Sequence, residues 1–473
     1  MKLSFNHLSL IISVVVASIF IVFPTTTTDV LNDIVNYLLI TFDTFFLWTV
    51  SLILIICIGL ILSPFAKNKL GGENAKTEFS TFSWVAMLFA AGMGSGLIFW
   101  GVAEPIYHLN SPINSAHDAV FALAITDFHW GLHAWAIYAF SGLIIGWFSY
   151  NEGREMTISA SFTNKTSSVY QLFDVLAVVA ILFGVAGTLA NSIALIETGV
   201  QTIVSEEIGG LAFRFLLLTF ISLVFISSSL SGLNKGVKYL SNFNVAFALL
   251  LLVTIAYLVG FSNVLVYAFN SSIAYIKALP TLSFVIAEGS ESWSHGWTII
   301  YFLWWISWAP FTGLFIARIS KGRTIREFLI GVILYPTIIT IIWFATFGGG
   351  GFLANNLEEI QAATNTNYTL GLFSLLNNFG IGNILGLLSI GLLTTFVITS
   401  ADSAIYVTVL LTKKTSNSSK LIWSGVLIGI SSALLIRNNV DLNKVIAITG
   451  AIPFVFILCA QGIRFLILIN KKR

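Results

Sequence analysis

Charge is what this sequence has least of. Of 473 residues, 9% are Asp, Glu, Lys or Arg, while 57% are hydrophobic. Soluble domains carry about 25% charge, so a fully water-exposed surface cannot be assembled from this chain. The composition implies an all-α polytopic membrane protein. Cysteine is nearly absent: Cys57 and Cys459 both sit in apolar runs, which excludes a disulfide framework. The six histidines are scattered over positions 7, 108, 117, 129, 133 and 295, too sparse for the repeated histidine boxes of a membrane desaturase. His129 and His133 do stand at i and i+4, a spacing that chelates metal. A membrane metalloenzyme therefore remains a remote alternative to the expected non-enzyme. No basic run points to nucleic acid. No small-residue cleavage site follows the apolar residues 8–24, and that run exceeds the ~7–15-residue core of a signal peptide. It is read as the first span.

Long apolar runs are what the chain has instead. Segments of about 20 residues fall near 8–24, 45–64, 82–103, 119–148, 171–203, 210–230, 243–268, 297–318, 328–347, 381–412, 421–436 and 446–469, twelve in all. With both termini cytoplasmic, nineteen of the 23 Lys and Arg residues fall inside. Arg214, Lys277, Arg437 and Lys444 fall outside or near that face. This is the positive-inside bias of a plasma-membrane protein. The stretch "SSIAYIKALPTLSFVIAEGS" between spans seven and eight predicts an amphipathic helix on the outer interface. The expected divisions are 1–80 (two peripheral spans), 81–270 (a first five-span unit), 271–293 (the outer helix) and 294–473 (a second five-span unit).

Two spans carry helix-weakening residues at matching places. "FAAGMGSGLIFWG" (89–101) holds Gly92, Gly94 and Gly96, and "WWISWAPFTG" (304–313) holds Pro310. The segments lie in spans three and eight, five apart, and paired interruptions of that kind mark the central site of a transporter. Close helix packing through small residues is the alternative for the glycines. A channel would instead want a continuous polar path or charged rings.

The rings point the same way. Trp130, Trp135 and Tyr138 fall within an arc of roughly 140° on one helix, and Trp305 and Trp308 share a face of span eight. Interfacial belts are the usual place for membrane tryptophan, but these rings lie in the middle of long segments or beside the expected break. Aromatic faces suit a quaternary ammonium or similar onium group, which has no N–H to donate. Each such contact contributes about 0.5–2 kcal/mol.

The chain resembles the betaine/choline/carnitine transporters over nearly its whole length. The resemblance rests on "GMGSGLIFWGVAEPIYH" (92–108), "FHWGLHAWAIYAFSG" (128–142), "WWISWAPFTGLFIARISKGRTIREF" (304–328) and "TTFVITSADS" (394–403). It implies twelve spans, with two outer helices and a five-plus-five inverted repeat, alternating access and a homotrimer in the lipid bilayer. It also implies that the onium head sits among Trp130, Trp135, Tyr138 and Trp305, with Trp308 nearby on the inward route. Gly92, Gly94 and Gly96 would bring freed backbone groups to a substrate carboxylate, and Ser95 offers a further hydroxyl there. Some proton-coupled choline carriers have an aspartate where this chain has Gly96, so a betaine-like zwitterion is favoured over choline. Carnitine and sulfonium analogues remain open.

The same resemblance places a sodium ion among the carbonyls of Ala90, Met93 and Phe396 and the hydroxyls of Thr399 and Ser400. Back-bonding of those hydroxyls within their own helix is the competing reading. A second ion is not expected. The matching span-five positions, Ile181 and Val185, have no side-chain oxygen, although Phe311 is present. The sodium-independent exchangers place a cation near the sodium position, and span five has no Lys or Arg. Asp127, a carboxylate within span four, is the candidate for proton coupling. No cofactor other than the coupling ion is expected.

Overall fold

The computed structural model describes residues 5–93, 95–162, 168–232, 236–286, 288–437 and 440–471. Helices α1 (Phe5–Val22), α2 (Pro24–Leu62), α3 (Thr81–Met93), α4 (Gly96–Leu109), α5 (Ala119–Trp130) and α6 (Leu132–Tyr150) are followed by α7 (Ser168–Ile203), α8 (Gly210–Ser231) and α9 (Lys238–Val259). Then come α10 (Phe261–Phe284), α11 (Glu291–Ser294), α12 (Ile300–Ile319), α13 (Ile325–Leu353), α14 (Leu357–Thr366), α15 (Tyr368–Leu376), α16 (Gly382–Leu411), α17 (Asn417–Arg437) and α18 (Val440–Lys471). Among the described residues no strand forms; one isolated bridge joins Lys69 to Thr324. Ten helical stretches are long and apolar enough to cross a membrane, or eleven when α3 and α4 count as one bent span. The N-terminal apolar stretch Leu8–Ile19 is shorter.

Burial sorts these helices. The α5–α6 stretch has the lowest hydropathy of the ten, 1.3, and is 94% buried within the protein; Glu291–Ile319 is 89% buried. By contrast α8 and α9, at hydropathy 2.1, are only 22% and 33% buried. A helix surrounded by protein can carry polar groups that find partners there, whereas a helix facing hydrocarbon cannot. Helices α6 and α12 therefore form the centre, against each other. Cys57 and Cys459 are both free.

The expected interruption of span three is present: α3 and α4 meet at a bend of 61°. The one expected at Pro310 is not, since α12 runs through it from Ile300 to Ile319. The residues around Pro310 serve close packing instead. A Cβ on Gly313 would lie 2.3 Å from Ser141 Oγ, and Ser141 donates to the Ala309 carbonyl at 3.1 Å. The irregularity of that span lies earlier, in a π-helical turn at His295–Ile299.

Span four is broken where no break was expected, at Gly131 (φ −97°, ψ −128°). A Cβ there would come within 2.4 Å of the Asp127 carbonyl. The Leu132 N–H released by the break donates to the Tyr275 hydroxyl at 3.1 Å. The seventh span also differs from its expected 243–268: α9 ends at Val259, and Gly260, with φ +94°, turns the chain into a separate helix, α10. The expected outer helix thus begins ten residues before 271, at Phe261.

Candidate functional site

The bend between α3 and α4 opens onto a cavity of about 70 Å³. One ordered water needs about 10–15 Å³ by the same measure, so the space takes several waters or one small zwitterion. Its walls differ in character. Eight rings line it: Phe99 and Trp100 from α4, Trp130 from α5, Tyr301, Trp304, Trp305 and Trp308 from α12, and Tyr368 from α15. The polar side chains are Ser95 at the bend and Thr188, Asn191 and Ser192 on α7. Gly92, Met93 and Gly96 complete the lining.

The bend itself exposes backbone. The last carbonyls of α3 and the first amides of α4 lie at helix ends, where intrahelical partners run out. Ring stacking accounts for two of its glycines. A Cβ on Gly92 would lie 2.8 Å from the Trp135 ring, and one on Gly96 would lie 2.7 Å from the Trp130 ring. Gly94 lies outside the described residues.

The four rings expected to cradle the onium head form one continuous chain. Trp130 and Trp305 meet edge to face at 5.0 Å, Trp305 and Tyr138 at 5.8 Å, and Tyr138 and Trp135 at 5.7 Å. Only Trp130 and Trp305, together with Trp308, border the open cavity. Tyr138 and Trp135 stand behind them, Trp135 stacked on Phe89 at 6.1 Å. The break at Gly131 separates Trp130 from the helical phase of the other two.

One carboxylate ties this wall together. Glu104 of α4 is fully buried. Its Oε2 accepts from the Trp130 indole at 2.6 Å and from the Tyr301 hydroxyl. Its Oε1 accepts from His129 Nδ1 at 2.7 Å, and His108 Nε2 lies 3.4 Å away. His129 in turn stacks on Tyr301 at 5.0 Å and meets the Thr298 hydroxyl through Nε2 at 3.0 Å. The Trp305 indole donates to the His129 carbonyl at 2.8 Å. Three cavity rings, Trp130, Tyr301 and Trp305, are thus fixed by their polar edges to one residue or to its immediate partner.

The histidine pair does not converge. His133 turns toward Ser283 at 3.1 Å and Ser51 at 3.4 Å, while His129 joins Glu104 and His108. Those last three residues are the set among the described residues whose ligand atoms lie close enough, within 4.8 Å, to hold a metal ion. The short His129–Glu104 hydrogen bond occupies two of those atoms.

The expected sodium groups lie on α3 and α16, which pack together. Ala90 and Met93 are in the last turn of α3. Thr399 donates to the Thr395 carbonyl at 2.9 Å and accepts from the Asn244 amide at 2.6 Å. The Ser400 hydroxyl is buried with no hydrogen-bond partner among the described residues. Phe396 is buried on the same helix. Asp127 does not border the cavity: it is buried on α5, which packs against α10, near Ser271.

Glu104, Tyr301 and the polar face of α7 are not among the site residues expected from the sequence. Glu104 was detectable, because a carboxylate inside an apolar run is a functional candidate by default. Thr188, Asn191 and Ser192 gave no such signal, since hydroxyls and amides are common along spans.

A family model described as betaine/carnitine/choline family transporter matches residues 5–473. A glycine betaine/proline/choline/ectoine transporter of Vibrio parahaemolyticus is 38% identical, over 82% of this chain and 71% of its own length. The glycine betaine transporter OpuD of Bacillus subtilis is 37% identical, over 87% of this chain and 84% of its own. An ectoine/hydroxyectoine transporter of Virgibacillus pantothenticus is 31% identical, over 93% and 91%.

Proposed function

Since this chain belongs to the betaine/carnitine/choline family of transporters, we propose that it imports a glycine betaine-like onium zwitterion across the plasma membrane in symport with sodium. The protein is a multi-pass membrane transporter and not an enzyme. The observation that carries the substrate class is the mixed lining of the cavity, in which eight aromatic rings share the wall with the hydroxyl and amide groups of Ser95, Thr188, Asn191 and Ser192. A methylated cation is held by ring faces at no cost in unpaired hydrogen bonds. Its carboxylate then needs donors, which the bend and α7 supply.

Trp130, Trp305 and Trp308 are the ring faces of this reading, with Tyr138 packed on Trp305 and Trp135 on Tyr138. Gly92, Ser95 and Gly96 border the carboxylate end. The bend of span three is the element whose two arrangements would open the site to either side in turn, within twelve spans arranged as a five-plus-five repeat. Both termini would face the cytoplasm, and the assembly would be a homotrimer.

Sodium would be bound by the carbonyls of Ala90, Met93 and Phe396 and the hydroxyls of Thr399 and Ser400. The unpartnered Ser400 oxygen supports this, because a buried hydroxyl without a partner is costly unless an ion or water meets it. One sodium per substrate is expected, since Ile181 and Val185 line no second oxygen shell. The test is uptake of labelled glycine betaine into vesicles, with an imposed sodium gradient and with the same gradient of potassium. Accumulation that needs sodium supports the proposal; equal accumulation in both arms overturns it. A proton-coupled carrier using Asp127 would instead follow an imposed pH gradient.

A further inference from the structure

We propose that Ser192 of α7, paired with Ser95, forms the carboxylate subsite of this cavity and sets the preference for zwitterions over simple onium cations. The inference rests on the binding reading above and assigns a role to a helix that the reading leaves unspecified.

Ser95 Oγ and Ser192 Oγ are 2.6 Å apart, and both residues are buried and line the cavity. A hydroxyl has one proton. Between two facing hydroxyls only one proton can occupy the gap, so the other must point elsewhere. The cavity adjoins both serines. The pair therefore presents a donor to the cavity from within a buried site, where a hydrogen bond to an anion is strongest.

Position fixes what that donor meets. Ser95 is next to Gly96, whose backbone lies against the Trp130 ring. The donor thus borders the same cavity as the ring wall that would face the cation. Glycine betaine keeps only one methylene between its nitrogen and its carboxylate, so a ligand whose methyl groups touch Trp130 and Trp305 carries its carboxylate only a few ångströms away. Asn191 lines the cavity one residue before Ser192. The remaining walls are mostly rings, which attract cations and repel anions.

Choline has a neutral hydroxyl where betaine has a carboxylate. Hydrogen bonds to charged groups are roughly twice as strong as neutral ones, so removal of both hydroxyls separates the two ligands, whereas either one left alone can still donate. The double variant Ser95→Ala/Ser192→Ala is expected to weaken glycine betaine binding by about tenfold or more. Choline affinity should change by no more than about twofold. Ser192→Thr, which keeps the hydroxyl, should retain most of the preference. The measurement is displacement of labelled glycine betaine from purified, solubilised protein by unlabelled betaine and by choline, with tetramethylammonium as the carboxylate-free control.

A fall in the betaine-to-choline affinity ratio of about tenfold supports the subsite. Parallel shifts for both ligands, or none, overturn it. If the double alanine variant does not fold, Ser95→Ala with Ser192→Cys, whose thiol is only a weak donor, decides on the same ratio. Should the unaltered protein bind no onium compound at all, the transport reading itself fails, which is a different outcome from an unchanged ratio.

Discussion

Removal of the Glu104 carboxylate should loosen the ring wall without touching the substrate. In Glu104→Ala the indole N–H of Trp130, the hydroxyl of Tyr301 and Nδ1 of His129 all lose their acceptor. A buried donor left alone costs about 1–3 kcal/mol, so the three together cost about 3–9 kcal/mol if nothing moves. The rings will move to recover partners, and their faces then leave the positions that an onium group needs. Loss of two face contacts, at about 0.5–2 kcal/mol each, weakens binding about five- to several-hundred-fold.

Glu104→Gln should behave differently. Its amide oxygen can still accept from Trp130 and Tyr301. Its NH2 group can donate to His129 Nδ1 if the imidazole adopts the other tautomer, with Nε2–H then donating to the Thr298 hydroxyl now 3.0 Å away. No donor is stranded, and the loss is confined to charge assistance, about 1 kcal/mol per bond. Affinity within about tenfold of the unaltered protein is expected. The assay is calorimetric titration of glycine betaine into solubilised protein, with thermal melting to confirm folding. A folded alanine variant of normal affinity would refute the reasoning, and so would a glutamine variant as impaired as the alanine one.

Further outcomes follow from the same structure. Trp305→Ala should reduce betaine affinity by about 2- to 30-fold, the range of one ring-face contact, and Trp305→Phe should recover part of that; a titration series checks both. Gly131→Ala should lower thermal stability by about 1–3 kcal/mol, because its Cβ would press on the Asp127 carbonyl backbone at 2.4 Å; a melting curve equal to that of the unaltered protein contradicts this. Ser400→Ala should raise the sodium concentration for half-maximal uptake severalfold while leaving betaine affinity at saturating sodium within about twofold. A charge-to-substrate ratio near one in vesicles is expected for a single coupled sodium, and a ratio near two removes the one-ion proposal. Arg323 is buried and stacked 4.0 Å over Trp84, whereas Arg318 pairs with a partly exposed Glu78. Arg323→Ala should therefore lower the melting temperature more than Arg318→Ala, whose exposed ion pair contributes about 0–1 kcal/mol.

Composition by itself determined the solvent of this protein. With so little charge, no arrangement of the chain could dissolve its surface in water, and long apolar runs can satisfy their backbone in lipid only as helices. The glycines at 92 and 96 also announced the interruption of span three, because glycine weakens a helix; that the Trp135 and Trp130 rings lie against them was visible only in the structure. Trp130 and Trp305, which border the cavity, were legible as rings of interest from their density in segments that need no rings to span a bilayer.

Tertiary structure decided the rest. Pro310 reads as a break, yet α12 continues through it, packed against α6, whose Ser141 donates to the Ala309 carbonyl. Gly131 reads as one more small residue, yet the chain breaks there, with Tyr275 from a distant helix taking the freed N–H. Glu104 becomes the tie of the ring wall only when α4, α5 and α12 meet around it, and Ser192 becomes a candidate recognition group only because α7 sets it against Ser95. Hydropathy and helix propensity act between near neighbours in the chain. A hydrogen bond between residues 97 or 197 positions apart depends on which helices pack together, and local pattern carries no record of that.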